Sequence, residues 1–391
     1  MTRGAINRDP VLGTMGLEDS EPSRPDFPRL RNDRRRRLFD ALAAEAMDAL
    51  VLGRPANVRY ATGARQLWRA GCAPFGPACV VVRETQRVHL LSVWDEGVPP
   101  EIDHEDLYPL TWNPANLMAA LKAIPGVAGA RSVGTDGLTP MFAHSLRDLA
   151  PSAELVDGAP ALWRARRTKT TDELACLRTA AALAEAALQG MRQRVEPGVS
   201  ERQLVAAYYE CIGSLGVPAP PSESVAFATP TRGTVSFRFV PGDRRARDGA
   251  LVVLCPGAIY AGYEADVGTT VLAGASAPQG AGALADRCRR GPDGLLEACH
   301  PGATGADLSR VWQQTGERLP PVVLAHGLGL GVEPPVVGLG RGMSDVLVEG
   351  SVLCVQSWVG EEGTGGCLER ATVLITADGA ELLTRRVPWA F

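Results

Sequence analysis

The sequence lacks several features that would narrow its function at once. No stretch approaches the roughly 18 continuous apolar residues of a membrane span, and residues 1–30 contain no apolar segment of signal-peptide length. The nine cysteines are scattered singly, without a CxxC pair, which argues against a disulfide framework or a structural zinc site. These absences predict a soluble, cytoplasmic protein with no membrane partner.

An excess of charge of one sign is also missing. Forty Lys and Arg residues are mixed with 44 Asp and Glu residues, and the net charge is −4. The dense basic stretch is 31–37, which the solvated face of a helix explains better than a nucleic-acid contact. The charge pattern therefore predicts that nucleic acid is not a partner.

The length of 391 residues is comfortable for two domains. Residues 1–30 are rich in Pro, Gly and acidic side chains and are predicted to form a flexible tail. Residues 31–165 alternate short helices with short strands, which indicates a mixed α/β domain. A Thr cap at Thr171 starts a long helix just after a basic stretch, and we place the second domain at 166–391. The predicted class is α+β with two domains.

The second domain repeats one order of elements. Apolar spacing predicts two pairs of helices, each followed by a β-ribbon, which suggests an internal duplication. The predicted helices are 173–194, 200–215, 281–299 and 305–316, and the predicted strands include 234–240, 251–254, 259–263, 267–272, 322–325, 351–358 and 367–376.

Three segments carry a family resemblance. Residues 248–270 resemble the metal-bearing hairpin of the pita-bread (peptidase family M24) superfamily of prolidases, aminopeptidases P and creatinases. Residues 325–335 resemble the HGxGLxxHExP stretch of these proteins, and 348–379 resembles their closing strands. The resemblance implies a C-terminal pita-bread fold behind a smaller creatinase-type N-terminal domain.

The same resemblance implies an altered metal site. The family holds two divalent ions with two Asp, one His and two Glu residues. The matching positions here are Cys255, Asp266, His326, Gln356 and Arg370. We therefore expect no metal cofactor; if a single ion binds, Asp266 and His326 hold it with Glu369, the acidic neighbour of Arg370.

Two accessory histidines of the family align with Arg238 and Glu333. One interpretation is that Arg238 and Arg370 supply the positive charge once given by metal and clamp a small anionic molecule. The predicted substrate-binding set is Arg238, Arg370, Gln356, Cys255 and Glu333. The other interpretation is that both arginines merely pair with Asp266, Glu264 or Glu369 in a decayed site.

These positions lead to three hypotheses for function. The first is a metal-independent hydrolase or lyase for a small anionic amide, amidine or amino-acid derivative, with His326 as the acid–base group and Asp266 as its orienting partner. The others are a non-catalytic protein that binds a peptide or protein, and an Xaa-Pro-type peptidase with a single metal ion. Cys255 is either a nucleophile partnered by His326 or an inert core residue.

The N-terminal domain resembles a module that covers a neighbour's cleft in related dimers. Tyr60, Trp68 and Arg69 suit an interface, and Arg65 and Arg69 either reach the partner's cleft or lie on the surface. We expect a homodimer in sedimentation-velocity runs at micromolar concentration. A single monomeric species there would contradict this expectation.

Overall fold

The computed structural model describes residues 24–64, 77–92, 95, 97–109, 113–137, 139–217, 225–230, 232–387 and 389. These residues form two compact units, Asp26–Asp172 and a second unit that begins at Glu173. The interface residues predicted at Arg65, Trp68 and Arg69 lie outside the described part. Among the described helices, none is long and apolar enough to cross a membrane.

The first unit is built on a mixed six-stranded sheet in the order β4-β3-β2-β1-β5-β6. Its elements are α1 (Phe27–Ala44), β1 (Ala49–Leu52), α2 (Pro55–Thr62), β2 (Cys79–Val82), β3 (Arg87–Leu91), a 3₁₀ turn (His104–Asp106), β4 (Leu107–Tyr108), α3 (Pro114–Lys122), β5 (Ser132–Thr135), α4 (Pro140–Leu149), β6 (Glu154–Asp157) and α5 (Ala159–Arg166). The central strand β1 is buried along its whole length, as its uninterrupted apolar sequence predicts.

The first unit extends a few residues past the predicted boundary at residue 165. Asp26 caps α1, and the Arg29 guanidinium donates to the buried carboxylate of Asp172 at 2.7 Å. Arg37 donates to the carbonyl of Thr168. These contacts hold the chain after α5 against α1, so the unit ends at Asp172. Helix α1 also includes the last residues of the predicted tail.

The second unit contains two helix pairs, each followed by strands, in the predicted order. Its elements are α6 (Thr171–Arg192), α7 (Glu201–Ser214), β7 (Val225–Ala228), β8 (Ala250–Cys255), β9 (Gly257–Tyr260), β10 (Tyr263–Asp266), β11 (Thr269–Ala273), α8 (Ala281–Ala298), α9 (Gly305–Gln314), β12 (Ala325–Gly329), β13 (Gly331–Val337), β14 (Val352–Glu361), β15 (Gly365–Thr376) and β16 (Gly379–Leu382). The strands pair as β11-β8-β7, β10-β9 and β13-β12-β14-β15-β16.

The two faces of the β14–β15 pair have different neighbours. Residues 353, 355, 359, 367, 371 and 373 belong to the same apolar cluster as α8 and α9. Side chains alternate between the faces of a strand, so 354, 356, 368, 370 and 372 point the other way. Leu368 on that second face packs in a cluster with Cys255 of β8. The polar residues of the second face therefore lie inside the unit and not beneath the helices.

The end of β10 docks on this second face through backbone contacts. Gly268 and Arg370 exchange two backbone hydrogen bonds of 3.0 Å. The Thr372 hydroxyl donates to the Asp266 carbonyl at 2.8 Å and accepts from the Asp266 amide at 3.0 Å. A Cβ at Gly268 would lie 2.9 Å from Cys255 Sγ and 3.0 Å from Arg370 Cβ, so this close approach needs glycine.

Packing of α8 gives a first prediction about stability. A Cβ at Gly291 would lie 2.5 Å from the buried ring of Trp312, whereas a Cβ at Gly282 on the same helix meets nothing within 4 Å. We expect Gly291→Ala to destabilise the fold by about 1–3 kcal/mol through overpacking. Gly282→Ala should be neutral or stabilising by under about 1 kcal/mol. Urea unfolding of both variants checks this, and equal effects would contradict the packing argument.

Candidate active site

Asp266, His326 and Arg370 meet where β10, β12 and β15 come together. The Asp266 Oδ2 atom lies 3.7 Å from His326 Nε2 and 3.7 Å from Arg370 Nη1. All three side chains are nearly buried, with exposed fractions of 8%, 9% and 14%. The predicted acid–base residue and its predicted orienting partner are thus neighbours, and a guanidinium lies on the same carboxylate oxygen.

Gln356 holds the guanidinium of Arg370 in place. The two residues are directly opposite each other in the β14–β15 register. Gln356 Oε1 accepts from Arg370 Nε at 2.9 Å and from Nη2 at 2.7 Å. Gln356 Nε2 donates to the carbonyl of Val323 at 2.8 Å. Both ends of the amide are therefore used, and Gln356 orients Arg370 toward Asp266.

Asp266 and Glu264 lie on the same face of β10, but their pKa values shift in opposite directions. Burial disfavours the ionised form of Asp266, but contacts with His326 and Arg370 outweigh burial and hold its pKa below the ordinary value. Glu264 lies two residues earlier, where the charge of Arg370 lowers the pKa by less than burial raises it. Burial, together with the charge of Asp266, raises the pKa of Glu264 to about 8. Near neutral pH, Asp266 is the ionised member of the pair.

Cys354 belongs to this cluster, although the sequence analysis assigned it no role. It lies directly opposite His326 in the β12–β14 register. Ligand atoms of Asp266, His326 and Cys354 all lie within 4.8 Å of one another. Its position two residues before Gln356 on the same strand is the signal that could have found it.

Cys255 reaches the edge of the cluster as a core residue. It is 3% exposed, and its sulfur packs against Gly268. Burial raises the pKa of the Cys255 thiol to about 11, against the opposing effect of Arg370. A thiol of this kind is a poor nucleophile near neutral pH, so the geometry favours the inert interpretation of Cys255.

The two arginines of the predicted clamp pair with different carboxylates, Arg238 with Glu201 and Arg370 with Asp266. Arg238 lies 3.4 Å from the buried carboxylate of Glu201, which also accepts from the amides of Gly242 and Ala228. This carboxylate fixes the loop that carries Arg238 to the start of α7. Arg370 alone is placed at Asp266, because the loop anchors Arg238 elsewhere.

Glu369 lies on the face of β15 opposite to Arg370. Its register partner is Ser357, and its carboxylate accepts from Arg386, which also contacts Asp293 of α8. The expected single-ion ligand set of Asp266, His326 and Glu369 is therefore not brought together. The alternation of side chains along a strand explains this correction.

Glu333 is buried on β13 and pairs in register with Gly327, next to His326. Its carboxylate oxygens lie 2.8 and 2.9 Å from the place where a Cβ of Gly329 would be. The absence of a side chain at Gly329 therefore makes room for this carboxylate. Glu333 and His326 therefore lie on the paired strands β13 and β12, and the substrate contact of Glu333 stays a prediction.

Comparisons with known proteins identify the family of this chain. Residues 175–377 match the metallopeptidase family M24 and residues 34–168 match the creatinase/prolidase N-terminal domain. The fold is the two-domain pita-bread architecture that the resemblance implied. The chain belongs to metallopeptidase family M24. This confirms the predicted family and fold class.

Individual relatives agree with this assignment. The chain is 23% identical over 368 residues to the Xaa-Pro dipeptidase of Pyrococcus horikoshii, with 91% of this chain and 98% of that protein covered. The crystal structure of the prolidase from the same species covers 90% of this chain and 98% of its own at a TM-score of 0.75 and 22% identity. A dipeptidase PepE structure from Mycobacterium ulcerans covers 93% and 98% at a TM-score of 0.74 and 22% identity. Such structural likeness supports the fold, whereas the chemistry of the site has to be argued from the residues that form it.

The ion pair in the site gives a prediction about stability. Arg370→Met removes the cation beside a buried carboxylate, and we expect a loss of about 3–5 kcal/mol of unfolding free energy. The double variant Asp266→Asn/Arg370→Met removes both charges and should recover a large part of that loss. Urea unfolding at pH 7 measures both.

The control for this prediction is Arg202→Met. Arg202 also pairs with a carboxylate, that of Asp243, but the side chain of Arg202 is 66% exposed and that of Asp243 is 80% exposed. It should cost under about 1 kcal/mol. A double variant as unstable as Arg370→Met alone would contradict the proposed pairing of the two charges.

Proposed function

We propose that this chain is a hydrolase of small, peptide-like amide substrates that works without the two-ion centre implied for its family. The observation that carries the proposal is the guanidinium of Arg370, held by Gln356 against the carboxylate of Asp266. The guanidinium supplies a permanent positive charge where a metallopeptidase would need a metal ion.

The residues at the implied metal positions do not fit two divalent ions. Of the five positions, only Asp266 and His326 keep a ligand of the implied type. Gln356 is engaged at both ends by Arg370 and Val323, and Cys255 is a buried thiol. Two dications would add four positive charges beside Arg370, where Asp266 is the one carboxylate left among the five positions, and electrostatic repulsion opposes this.

In this proposal, His326 moves the proton and Asp266 orients it. The 3.7 Å separation between His326 Nε2 and Asp266 Oδ2 is longer than a hydrogen bond, but catalytic contacts of this kind commonly tighten when substrate binds. His326 Nε2 is buried and has no hydrogen-bond partner within the part of the chain that the structure describes, so it is available to a water or a leaving group. Arg370 offsets negative charge that develops on the substrate carbonyl oxygen.

The substrate class rests on the relatives and on the buried guanidinium of Arg370. Relatives named as Xaa-Pro dipeptidases act on short peptides, which favours hydrolysis over elimination. Because Arg238 is held by Glu201, Arg370 would meet the carboxylate or carbonyl of a small anionic substrate without a second arginine.

A non-catalytic, peptide-binding protein is the second candidate. The charges of Asp266 and Arg370 already neutralise each other without a ligand, which suits a site that has no reaction to perform. Under this alternative the protein binds dipeptides and releases them unchanged.

The test is turnover by chelator-treated protein against a panel of Xaa-Pro dipeptides and N-acyl amino acids. We expect activity to survive chelation and His326→Gln to lower kcat about 100-fold or more, since general acid–base catalysis contributes roughly 10²–10⁴-fold. The matched control is His300→Gln, which changes an exposed histidine outside the cluster. Activity that disappears on chelation and returns with Mn²⁺ would overturn the proposal, and binding without turnover would favour the second candidate.

A further inference from the structure

Three different metal-ligating groups converge in the candidate active site, and one of them is absent from the ligand set of the family. Ligand atoms of Asp266, His326 and Cys354 lie within 4.8 Å of one another. We propose that they form a site for one thiophilic divalent ion, such as Zn²⁺, and that this ion inhibits the enzyme. The inhibitory part rests on the proposed metal-free function; the binding site does not.

The state of His326 points to a ligand. Its side chain is 9% exposed, and its Nε2 atom has no hydrogen-bond partner among the described residues. A buried ring nitrogen without a partner loses its hydrogen bond to water and gains nothing in return. An ion bound at Nε2 would remove that cost. The same atom lies beside Asp266 Oδ2, so one ion can contact both side chains.

The strand register fixes Cys354 at the third position. Cys354 and His326 are directly opposite each other on neighbouring antiparallel strands, where the Cβ atoms of paired residues are about 4.5–5.5 Å apart. Zinc binds sulfur at about 2.3 Å, and nitrogen and oxygen at about 2.0–2.2 Å. Small side-chain rotations therefore bring the three atoms to these distances without moving the backbone.

The chemistry of the three ligands selects the kind of ion. A thiolate and an imidazole favour zinc and similar borderline-soft ions, whereas Mg²⁺, Ca²⁺ and Mn²⁺ prefer sites made of oxygen atoms. Cys354 gives up its thiol proton to solvent when the ion binds, and the S–H bond is replaced by a bond from sulfur to the ion. A three-residue set leaves one coordination position for water.

The charges permit one ion. The thiolate of Cys354 and the carboxylate of Asp266 together carry two negative charges, which balance one divalent ion. Arg370 remains beside Asp266 as an additional cation. A second ion would meet this guanidinium with no further thiolate or carboxylate of the three-residue set to neutralise it.

Binding of this ion and acid–base catalysis exclude each other. The ion would occupy the Nε2 atom of His326, which the proposed reaction uses to move a proton. It would also occupy the carboxylate that orients His326. We therefore expect Zn²⁺ to act as an inhibitor whose effect a chelator reverses.

Cobalt titration of the chelator-treated full-length protein tests the site without any activity assay. Co²⁺ bound to a thiolate gives a charge-transfer band in the near ultraviolet, and we expect this band to saturate at one equivalent and to disappear when Zn²⁺ is added. Cys354→Ser should remove the band and weaken Zn²⁺ binding about 100-fold, since even changes behind the ligands cost roughly 10–100-fold. The matched control is Cys299→Ser, a buried core cysteine outside the cluster, which should keep the band.

The outcomes separate this inference from the proposed function. A wild-type protein without the band, or a band that Cys354→Ser retains, would overturn the site. If Cys354→Ser fails to fold by circular dichroism, His326→Gln provides the same test, because it removes a second ligand. Inhibition of an active enzyme by one equivalent of Zn²⁺ supports both proposals. Activation by Zn²⁺ would support the metal site but overturn both the proposed inhibition and the metal-free reaction. A cobalt charge-transfer band in a protein without activity would support the metal site but overturn the proposed function.

Discussion

Burying the guanidinium of Arg370 requires an anion and hydrogen-bond acceptors, because an isolated charge in a protein interior costs several kcal/mol. Asp266 supplies the anion, and the amide oxygen of Gln356 accepts from two of the guanidinium nitrogens. This arrangement commits Asp266 to the ionised state and places a fixed cation at the centre of the site. Burial, together with the charge of Asp266, raises the pKa of the neighbouring Glu264, and the charge of Arg370 opposes that shift.

Contacts to the backbone position Asp266 and Arg370 next to each other. Gly268 and Arg370 exchange backbone hydrogen bonds, and Thr372 holds both the amide and the carbonyl of Asp266. The end of β10 is therefore fixed against β15 at two successive inward-facing positions. Because the register of β14 and β15 is set along their whole length, Gln356 stays directly opposite Arg370, within reach of its guanidinium.

Much of this architecture could be predicted from the sequence. Apolar spacing and capping residues located the long helices and the strands β8 and β11, since these signals are local. The predicted strand 259–263 was wrong in its bounds and pairing: residues 261–262 form the turn between β9 and β10, and β8 pairs with β11 and β7. The predicted strand at 234–240 was wrong: this segment is irregular in the structure. Its Phe237 packs on Phe227 and Trp358, and Phe239 packs on Phe237, without either residue joining a sheet. Strand β12 was placed too early, because its glycines carry no strand signal.

The candidate site was less predictable, for reasons of geometry. Asp266 and His326 could be located because both lie in motifs with fixed spacing, whereas Arg238 was assigned to the cleft by alignment alone and is instead bound to Glu201. A shift of β15 by one residue would turn Glu369 inward instead of Arg370, and the spacing of residues in the sequence does not predict which of the two registers forms.

Cys354 illustrates a further limit, because its role depends on a neighbour from another strand. Its spacing of two residues from Gln356 places it on the same strand face, but this spacing alone does not show that a histidine lies opposite it. Its position opposite His326 is what makes it a candidate metal ligand. A thiol at this point changes which ions the site would favour: oxygen ligands suit ions such as Mg²⁺ and Mn²⁺, whereas thiolate and imidazole suit zinc and similar ions. Under the two proposals, the guanidinium of Arg370 limits such binding to a single ion, and proton transfer and metal binding compete for one nitrogen atom, Nε2 of His326.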